Sequence, residues 1–327
     1  MFSRNTMSLL GLLVAAMLGL APAAPAQADS ATWNGTTDAL WATTNNWAGP
    51  PVAVPGTGNT ATFDNAGNAN TTLDLGTGVT INTILFDTAG AAAYIIGSGA
   101  VGSQTLTLDN GGAITINSTV ANNQTINAAV VLGNDGTAQP FTFTSNSTTN
   151  ALTVAGGITG STGAGLKTLT ITGAGNTTLG GIVGDGTTGT VALTKDGAGT
   201  LTLTGANSYT GLTTVSAGVL NIQNATALGT TAAGTSVTSG AALQIQGGIT
   251  VGAEALTLNG TGISDGGALR NISGTNTYGG LVTLTAPTVW LVVFRSSEPP
   301  PSVRALPVPS VPEPMRTVPA LIFVPAV

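Results

Sequence analysis

The chain has 327 residues, only 6% of them charged, a formal net charge of −6, and neither cysteine nor histidine. It therefore has no disulfide, no thiol or imidazole catalysis and no histidine-ligated metal, and its 7 basic residues are too few for a nucleic-acid surface. The 47 glycines and a hydrophobic fraction of 42% predict a folded protein of strands and turns, not a disordered chain.

Residues 1–28 have the features of an export signal. Arg4 precedes an apolar run at 9–21, and a small-residue cleavage site follows at 26–28. The run is shorter than the roughly 20 residues that a membrane-spanning helix needs. We therefore predict a signal peptide and a mature chain that begins at Asp29.

Residues 29–58 contain three of the four tryptophans of the chain, Trp33, Trp41 and Trp47. Two interpretations compete. Either the aromatic rings close the open end of a stacked core, as the terminal repeats of solenoids must, or their faces form a platform for sugars. The nearby Phe63 favours an N-terminal cap.

Residues 59–285 consist of short runs of threonine, valine, leucine and isoleucine, separated by glycine and asparagine. Within the runs apolar and polar residues alternate, as at 200–204, which indicates half-buried strands. No run has helical spacing, so we expect very little helix. The pattern predicts an all-β parallel β-helix, or β-solenoid. Low charge is expected in such a stack, because like charges in register would repel one another.

Internal repeats are present but irregular. The segment at 168–174 recurs at 200–206, and the segment at 205–211 has a weaker relative at 274–280. Coils joined by loops of variable length tolerate such drift, whereas the blades of a propeller keep a tighter period. The best copy of the repeat is 195–222.

Residues 195–222 resemble the autotransporter-associated β-strand repeat of bacterial surface and secreted proteins. The signature residues that carry the resemblance are Lys195, Gly197, Gly199, Thr200, Leu201, Leu203, Gly205, Asn207, Tyr209, Gly211, Thr213, Val215, Gly218 and Leu220. The tryptophan-rich start is also similar to the opening of such proteins. The resemblance implies a right-handed parallel β-helix that acts as an exported passenger domain.

The same resemblance implies a location and a partner. Family members commonly continue into a C-terminal outer-membrane β-barrel, which we expect this chain to lack. We therefore expect either a separate outer-membrane transporter or a truncated product. The protein is expected to be extracellular or associated with the bacterial cell surface and outer membrane, with the periplasm crossed in transit.

Residues 286–327 differ in composition from the rest and hold 10 of the 16 prolines. Proline at this density does not fit central strands, so we expect an irregular tail. It is either an extended linker or the product of a reading-frame shift that ends a longer protein early. The segment Val311-Pro312-Glu313-Pro314 also resembles the first element of a sorting tail that some relatives carry.

The acidic residues of the predicted solenoid are the candidates for catalysis or metal binding. They are Asp64, Asp74, Asp87, Asp109, Asp135, Asp185, Asp196, Glu254 and Asp265. Most lie in turns, where aspartate binds its own backbone, and no calcium-loop pattern is present. The one suggestive group is Asp185 with Lys195 and Asp196 on adjacent coils, for which a local salt bridge or turn is favoured. We predict no catalytic, cofactor-binding or metal-binding residue.

Tyr209 and Tyr278 occupy equivalent positions in the two copies of an Asn-x-Tyr segment. One interpretation makes them exposed aromatics for ligand contact. The favoured one makes them corner residues whose rings cover the edge of the core while their hydroxyls stay in water.

Together these features predict a non-catalytic, exported passenger-type β-solenoid with a structural or adhesive role and no cofactor. Its expected partner is a cell-surface structure or a polysaccharide, not nucleic acid. The alternative is a carbohydrate-binding or carbohydrate-active β-helix, similar to polysaccharide lyases and hydrolases. It would use the tryptophan cluster or the group of Asp185, Lys195 and Asp196.

Overall fold

The computed structural model describes residues 30–50, 52–133 and 136–285, and in addition the backbone of two strands at 316–318 and 321–323. The predicted signal peptide and the sorting-tail segment lie outside the described residues. About 4% of the structure is helical, which confirms the very low helix content predicted. The helical residues form short 3-10 helices at Thr44–Asn46, Gly67–Ala69 and Ile263–Asp265.

The described residues otherwise form 28 strands, numbered here in chain order. They are β1 (Ala31–Trp33), β2 (Trp47–Ala48), β3 (Thr60–Phe63), β4 (Thr72–Leu73), β5 (Val79–Phe86), β6 (Ile95–Ile96), β7 (Thr105–Ile116), β8 (Gln124–Ile126), β9 (Ala129–Leu132), β10 (Gln139–Ser145), β11 (Leu152–Val154), β12 (Ile158–Gly160), β13 (Gly165–Thr172) and β14 (Thr177–Leu179). The second half comprises β15 (Val183–Gly184), β16 (Gly189–Lys195), β17 (Thr200–Leu203), β18 (Thr213–Val215), β19 (Val219–Ile222), β20 (Thr235–Val237), β21 (Ala242–Gln246), β22 (Thr250–Val251), β23 (Leu256–Leu258), β24 (Leu269–Ser273), β25 (Asn276–Tyr278), β26 (Val282–Leu284), β27 (Arg316–Val318) and β28 (Leu321–Phe323).

Parallel pairing between successive coils builds the predicted β-solenoid. A 16-stranded and a 9-stranded sheet form its long faces, and a 3-stranded sheet lies near the C-terminal end. The 9-stranded sheet contributes one strand per turn, which gives about nine turns. Stacked positions in it are separated by between 19 residues (Leu203 to Ile222) and 30 residues (Ile96 to Ile126). This variation in coil length accounts for the irregular repeat in the sequence.

Alternation along the strands separates the core from the surface. In β17, Leu201 and Leu203 are fully buried, whereas Thr200 and Thr202 lie on the outer face. Burying one leucine contributes roughly 1.5–3 kcal/mol. Because each turn adds such residues above the last, one continuous apolar core runs through the stack.

The two most similar segments of the sequence do not stack on each other. The first segment, 168–174, includes the end of β13, which belongs to the 16-stranded sheet. The second segment, 200–206, includes β17, which belongs to the 9-stranded sheet. The coil neighbours of Leu201 are Thr177 and Leu220. Similar alternation therefore marks strands on different faces of the solenoid, and it does not identify which strands are neighbours.

The 16-stranded sheet forks at β7, which is 12 residues long. Its first part, 105–108, pairs with β9, and its last part, 113–116, pairs with β10. The β9 branch continues through β12 to β15, and the β10 branch continues through the rest of the sheet.

Antiparallel strands occur at both ends of the parallel stack. At the N-terminal end β2 pairs antiparallel with β1, which itself pairs parallel with β3. At the C-terminal end β27 pairs antiparallel with β26, and β28 with β25. These two tail strands extend the sheets without forming another parallel coil.

Candidate functional site

Lys195, the first signature residue, lies inside the solenoid and is 2% exposed. Its Nζ donates hydrogen bonds to the backbone carbonyls of Asp196 at 2.6 Å, Gly197 at 2.8 Å and Ala217 at 3.2 Å. Burial lowers the pKa of Lys195 to about 8, and the negative charge of Asp196 opposes this effect. The ammonium group connects its own corner to the following coil.

Asn207, the second buried polar signature residue, joins three successive coils. Its Oδ1 accepts a hydrogen bond from the backbone N–H of Val183 at 2.8 Å, and its Nδ2 donates to the carbonyl of Ala227 at 2.6 Å. Asn276 of the weaker copy likewise accepts from the N–H of Ile249 at 2.7 Å. A buried corner leaves backbone groups without strand partners, and the amide side chain satisfies them.

Tyr209 and Tyr278 are both fully buried, so the prediction that their hydroxyls stay in water is wrong. The Tyr209 hydroxyl lies 2.7 Å from Oγ1 of Thr213, while the Tyr278 hydroxyl is buried without a partner. Burial raises the pKa of both phenols above the ordinary value. Tyr209 is buried because Gly229 of the next coil packs directly against its ring: a Cβ on Gly229 would lie 2.9 Å from ring atoms of Tyr209. The following coil therefore closes over the ring.

Asp185, Lys195 and Asp196 do not converge on a common site. Asp185 accepts hydrogen bonds from the backbone N–H of Val191 at 2.7 Å and from Oγ1 of Thr210 at 2.6 Å. Lys195 is occupied by backbone carbonyls, and the side chain of Asp196 is exposed. The first two side chains each stabilise a separate corner.

An open cavity of about 470 Å³ lies beside Asp185. Its lining includes Val131, Ser161, Thr162 and Thr187, and Asp185 is the charged residue among them. The cavity was not predicted from the sequence, because it lies at the β9–β12–β15 branch, and alternating residues do not reveal a fork within a sheet.

Several other acidic candidates bind backbone N–H groups and neighbouring amides. Asp74 accepts from the N–H of Gly76 at 2.8 Å and from Nε2 of Gln104 at 2.5 Å, and the first of these holds the pKa of Asp74 below its usual value. Similar acid–amide pairs are Asp64 with Asn65, Asp87 with Asn117 and Asp109 with Asn82. Asp265 accepts from Thr261. Asp135 lies outside the described residues.

Glu254 is the exception among the acids, because it is 3% exposed and lies in the core. Its Oε1 accepts a hydrogen bond from Oγ1 of Thr235 at 3.0 Å. Burial raises the pKa of its carboxyl above the usual value, and the Thr235 hydrogen bond partly opposes this. The sequence singled out Glu254 only as one of nine acidic candidates, although alternation gives it the same parity as the buried Leu256 and Leu258.

The three tryptophans of the N-terminal segment pack together as a cap. Their exposures are 0% for Trp33, 3% for Trp41 and 1% for Trp47. The ring centroid of Trp47 lies 5.0 Å from that of Trp33 and 4.7 Å from that of Trp41, and Phe63 packs beneath all three. Such buried rings present no face on which a sugar could stack.

The part of the chain that the structure describes holds no group of three or more acidic side chains arranged to bind a metal ion. It likewise has no helix with the length and apolar character needed to cross a bilayer.

Comparison with known protein families identifies a repeat within the chain. Residues 193–222 match the family described as passenger-associated-transport-repeat, a family that implies an exported or cell-surface protein. No curated protein and no solved structure matches the chain. The matched segment contains Lys195, Asn207 and Tyr209, whose side chains hold adjacent coils together. The chain therefore carries a passenger-associated-transport-repeat on a parallel β-solenoid, and this combination fits an autotransporter passenger-like β-helix.

Proposed function

We propose that this protein is an exported, non-catalytic passenger-type solenoid with a structural and adhesive role. The observation that supports it is the use of the polar signature residues. Lys195 and Asn207 are buried, and their polar atoms bind the backbone of neighbouring coils. Side chains that are hydrogen-bonded to backbone groups in this way stabilise a long stack, and they are not available to bind a substrate.

The outer face of the 16-stranded sheet supports the adhesive part of the proposal. One column of stacked outer positions carries a hydroxyl on each of seven successive strands, β10, β13, β16, β18, β20, β23 and β26; we call it the hydroxyl ladder. It consists of Thr142, Thr170, Thr194, Thr214, Ser236, Thr257 and Thr283. A rigid, uncharged row of hydroxyl and methyl groups suits a neutral partner, because a charged polymer would find no opposite charge there. We propose a neutral polysaccharide of a cell surface.

Export follows from the same proposal. The repeat family implies an exported or cell-surface protein, and a separate outer-membrane transporter is the proposed partner in secretion. The mature chain, beginning at Asp29, would then fold outside the cell, where the nine-turn stack extends its hydroxyl ladder along one face.

Binding to immobilised neutral polysaccharides tests the adhesive role. The mature chain is applied to mannan, cellulose and dextran, with anionic alginate as a comparison. The variant Thr194→Lys places a charge in the hydroxyl ladder, and Thr178→Lys places one on the outer face of the 9-stranded sheet. We expect retention on a neutral polymer that Thr194→Lys weakens at least tenfold and Thr178→Lys leaves unchanged. Equal effects of the two variants, or retention on alginate alone, would contradict the proposal.

The cavity beside Asp185 supports a second candidate function, a carbohydrate-active β-helix. Asp185 is partly exposed there and could act on a sugar bound next to Ser161 and Thr187. Release of reducing ends or unsaturated products from a polysaccharide panel tests this function. Asp185→Asn should abolish turnover, and Thr210→Val, which removes a hydrogen bond to the same carboxylate, should leave most of it. Absence of any product from the unmodified protein would exclude the candidate for the polymers tested.

A further inference from the structure

The inference concerns Glu254, a buried acid that the proposed surface function does not use. Glu254 precedes β23 and lies in the core with 3% of its surface exposed. The backbone of the next coil is packed directly on it, because a Cβ on Gly280 would overlap the carbonyl of Glu254. The next coil is therefore in close contact with the backbone of Glu254 while the last coils are closed.

The hydrogen bonds of the Glu254 carboxyl are incomplete. Thr235 donates to Oε1 at 3.0 Å, but Oε2 is buried without a partner. The hydroxyl of Tyr278, also buried, lacks a partner as well. An ionised carboxylate needs several donors or a nearby cation to remain in a low-dielectric interior. One hydroxyl donor is too little, so this site suits the neutral acid.

The ionisable groups around Glu254 do not compensate its charge. Those whose pKa values respond to Glu254 are Tyr209, from the corner before β18, and Tyr278, from β25. Both are buried phenols, and the negative charge of Glu254 raises the pKa of each, so both stay neutral over the physiological range. Burial correspondingly raises the pKa of Glu254. In the part of the chain described, the carboxyl is thus surrounded by neutral groups.

We propose that Glu254 is a proton-operated latch: the protonated carboxyl keeps the last coils of the solenoid closed, and its ionisation opens them. The affected segment is residues 250–285, which contains Glu254 and the following coil with Gly280, packed on it. Ionisation favours any arrangement that admits water to Oε2, and the shortest route is separation of the coil that contains Tyr278 and Gly280. These coils lie at the C-terminal end of the parallel stack, where the short antiparallel strands β28 and β27 cover β25 and β26, and terminal elements open at lower free energy than central ones. The latch is independent of what the surface binds.

The sign of the effect follows from proton linkage. Glu254 has an unfolded-state pKa near 4.5 and a higher one in the closed state. The closed state therefore holds one more proton than the open state at pH values between the two. Within that window each added pH unit should increase the opening equilibrium about tenfold, so the coils are most tightly closed in acid.

Hydrogen exchange of the mature chain, measured between pH 4.5 and pH 8.5 and expressed as protection factors, tests the latch. We expect protection of residues 250–285 to fall by about tenfold per pH unit within the window, while residues 105–172 keep theirs. Glu254→Gln, the neutral isostere, should remove the fall. Asp74→Asn, which neutralises an acid in a distant coil, should retain it. A pH-independent wild type, or an equal fall in Glu254→Gln, would overturn the proposal.

A second measurement, made on the unmodified protein, tests the latch in case the Glu254→Gln variant does not fold. The infrared carbonyl bands of protonated carboxylic acids are recorded for the unmodified protein in a pH series that starts at pH 4 and rises through the ionisation of the exposed acids. We expect one band to persist to higher pH than the bands of the exposed acids, because burial raises the pKa of Glu254, and to disappear in the range in which residues 250–285 lose protection. Loss of all such bands together with those of the exposed acids would show that Glu254 is ionised in the closed solenoid and would refute the latch.

Discussion

The side-chain oxygen of Asn207 accepts a 2.8 Å hydrogen bond from the backbone N–H of Val183, which lies 24 residues earlier in the chain. This contact crosses from one coil to the previous one, and the amide of the same side chain donates to Ala227 in the next. A single buried amide thereby fixes the spacing and the register of three coils at a corner, where no strand pairing is present to do so.

Asn207→Ala should lower the free energy of unfolding by about 2–4 kcal/mol, because it leaves the N–H of Val183 and the carbonyl of Ala227 buried without partners. Urea denaturation followed by circular dichroism measures the change. The control is Asn259→Ala at an exposed position, which should stay within about 0.5 kcal/mol of the wild type. Similar losses in both variants would show that Asn207 is not a coil-to-coil staple.

Tyr209→Phe and Tyr278→Phe should have different effects, although the residues are equivalent in the repeat. The hydroxyl of Tyr209 is bonded to Thr213, so its removal should destabilise the protein by about 1 kcal/mol. The hydroxyl of Tyr278 is buried without a partner, so its removal should be neutral or stabilising. Thermal denaturation of the two variants, measured in parallel, tests this difference. A loss of stability in Tyr278→Phe as large as that in Tyr209→Phe would reveal a hydrogen-bond partner for the Tyr278 hydroxyl.

Gly199→Ala should destabilise the solenoid by about 1–3 kcal/mol through overpacking. A Cβ at this signature position would overlap the carbonyl of Gly175 in the preceding coil. Gly252→Ala is the matched control, because a Cβ there has no atom within 4 Å; it should be neutral or up to about 1 kcal/mol more stable. Urea midpoints compare the two. If Gly199→Ala were tolerated as well as Gly252→Ala, close coil packing would not explain the glycine.

Lys195 should make stability rise with pH in alkaline solution. Its pKa falls from 10.5 to about 8 on folding, so the folded state binds fewer protons than the unfolded state between these values, and stability is lost as the pH drops from 10.5 towards 8. Lys195→Met should lack this contribution. The unfolding free energies of the wild type and of Lys195→Met are compared between pH 7 and pH 10.5. The buried tyrosines affect both proteins alike, so their contribution cancels in the difference. A constant difference across this range would contradict the prediction.

Much of the fold could be predicted because alternation is a local property. Leu201 and Leu203 are buried and Thr200 and Thr202 are on the outer face, as the sequence pattern required. Low charge and abundant glycine also indicated a parallel stack. Glu254 was identified only as one of the acidic candidates, although it has the same parity as the buried Leu256 and Leu258.

The amino-acid sequence by itself determined that the chain forms alternating strands, that these strands stack as a parallel solenoid, and that one segment carries the passenger repeat. Only the tertiary structure decided which strands are neighbours, because identical alternation serves either sheet, as at 168–174 and 200–206. It also decided the environment of the corner side chains. Whether Lys195, Tyr278 or Glu254 contacts water depends on how closely the next coil approaches, and that distance is set by loops and glycines some 20–30 residues away.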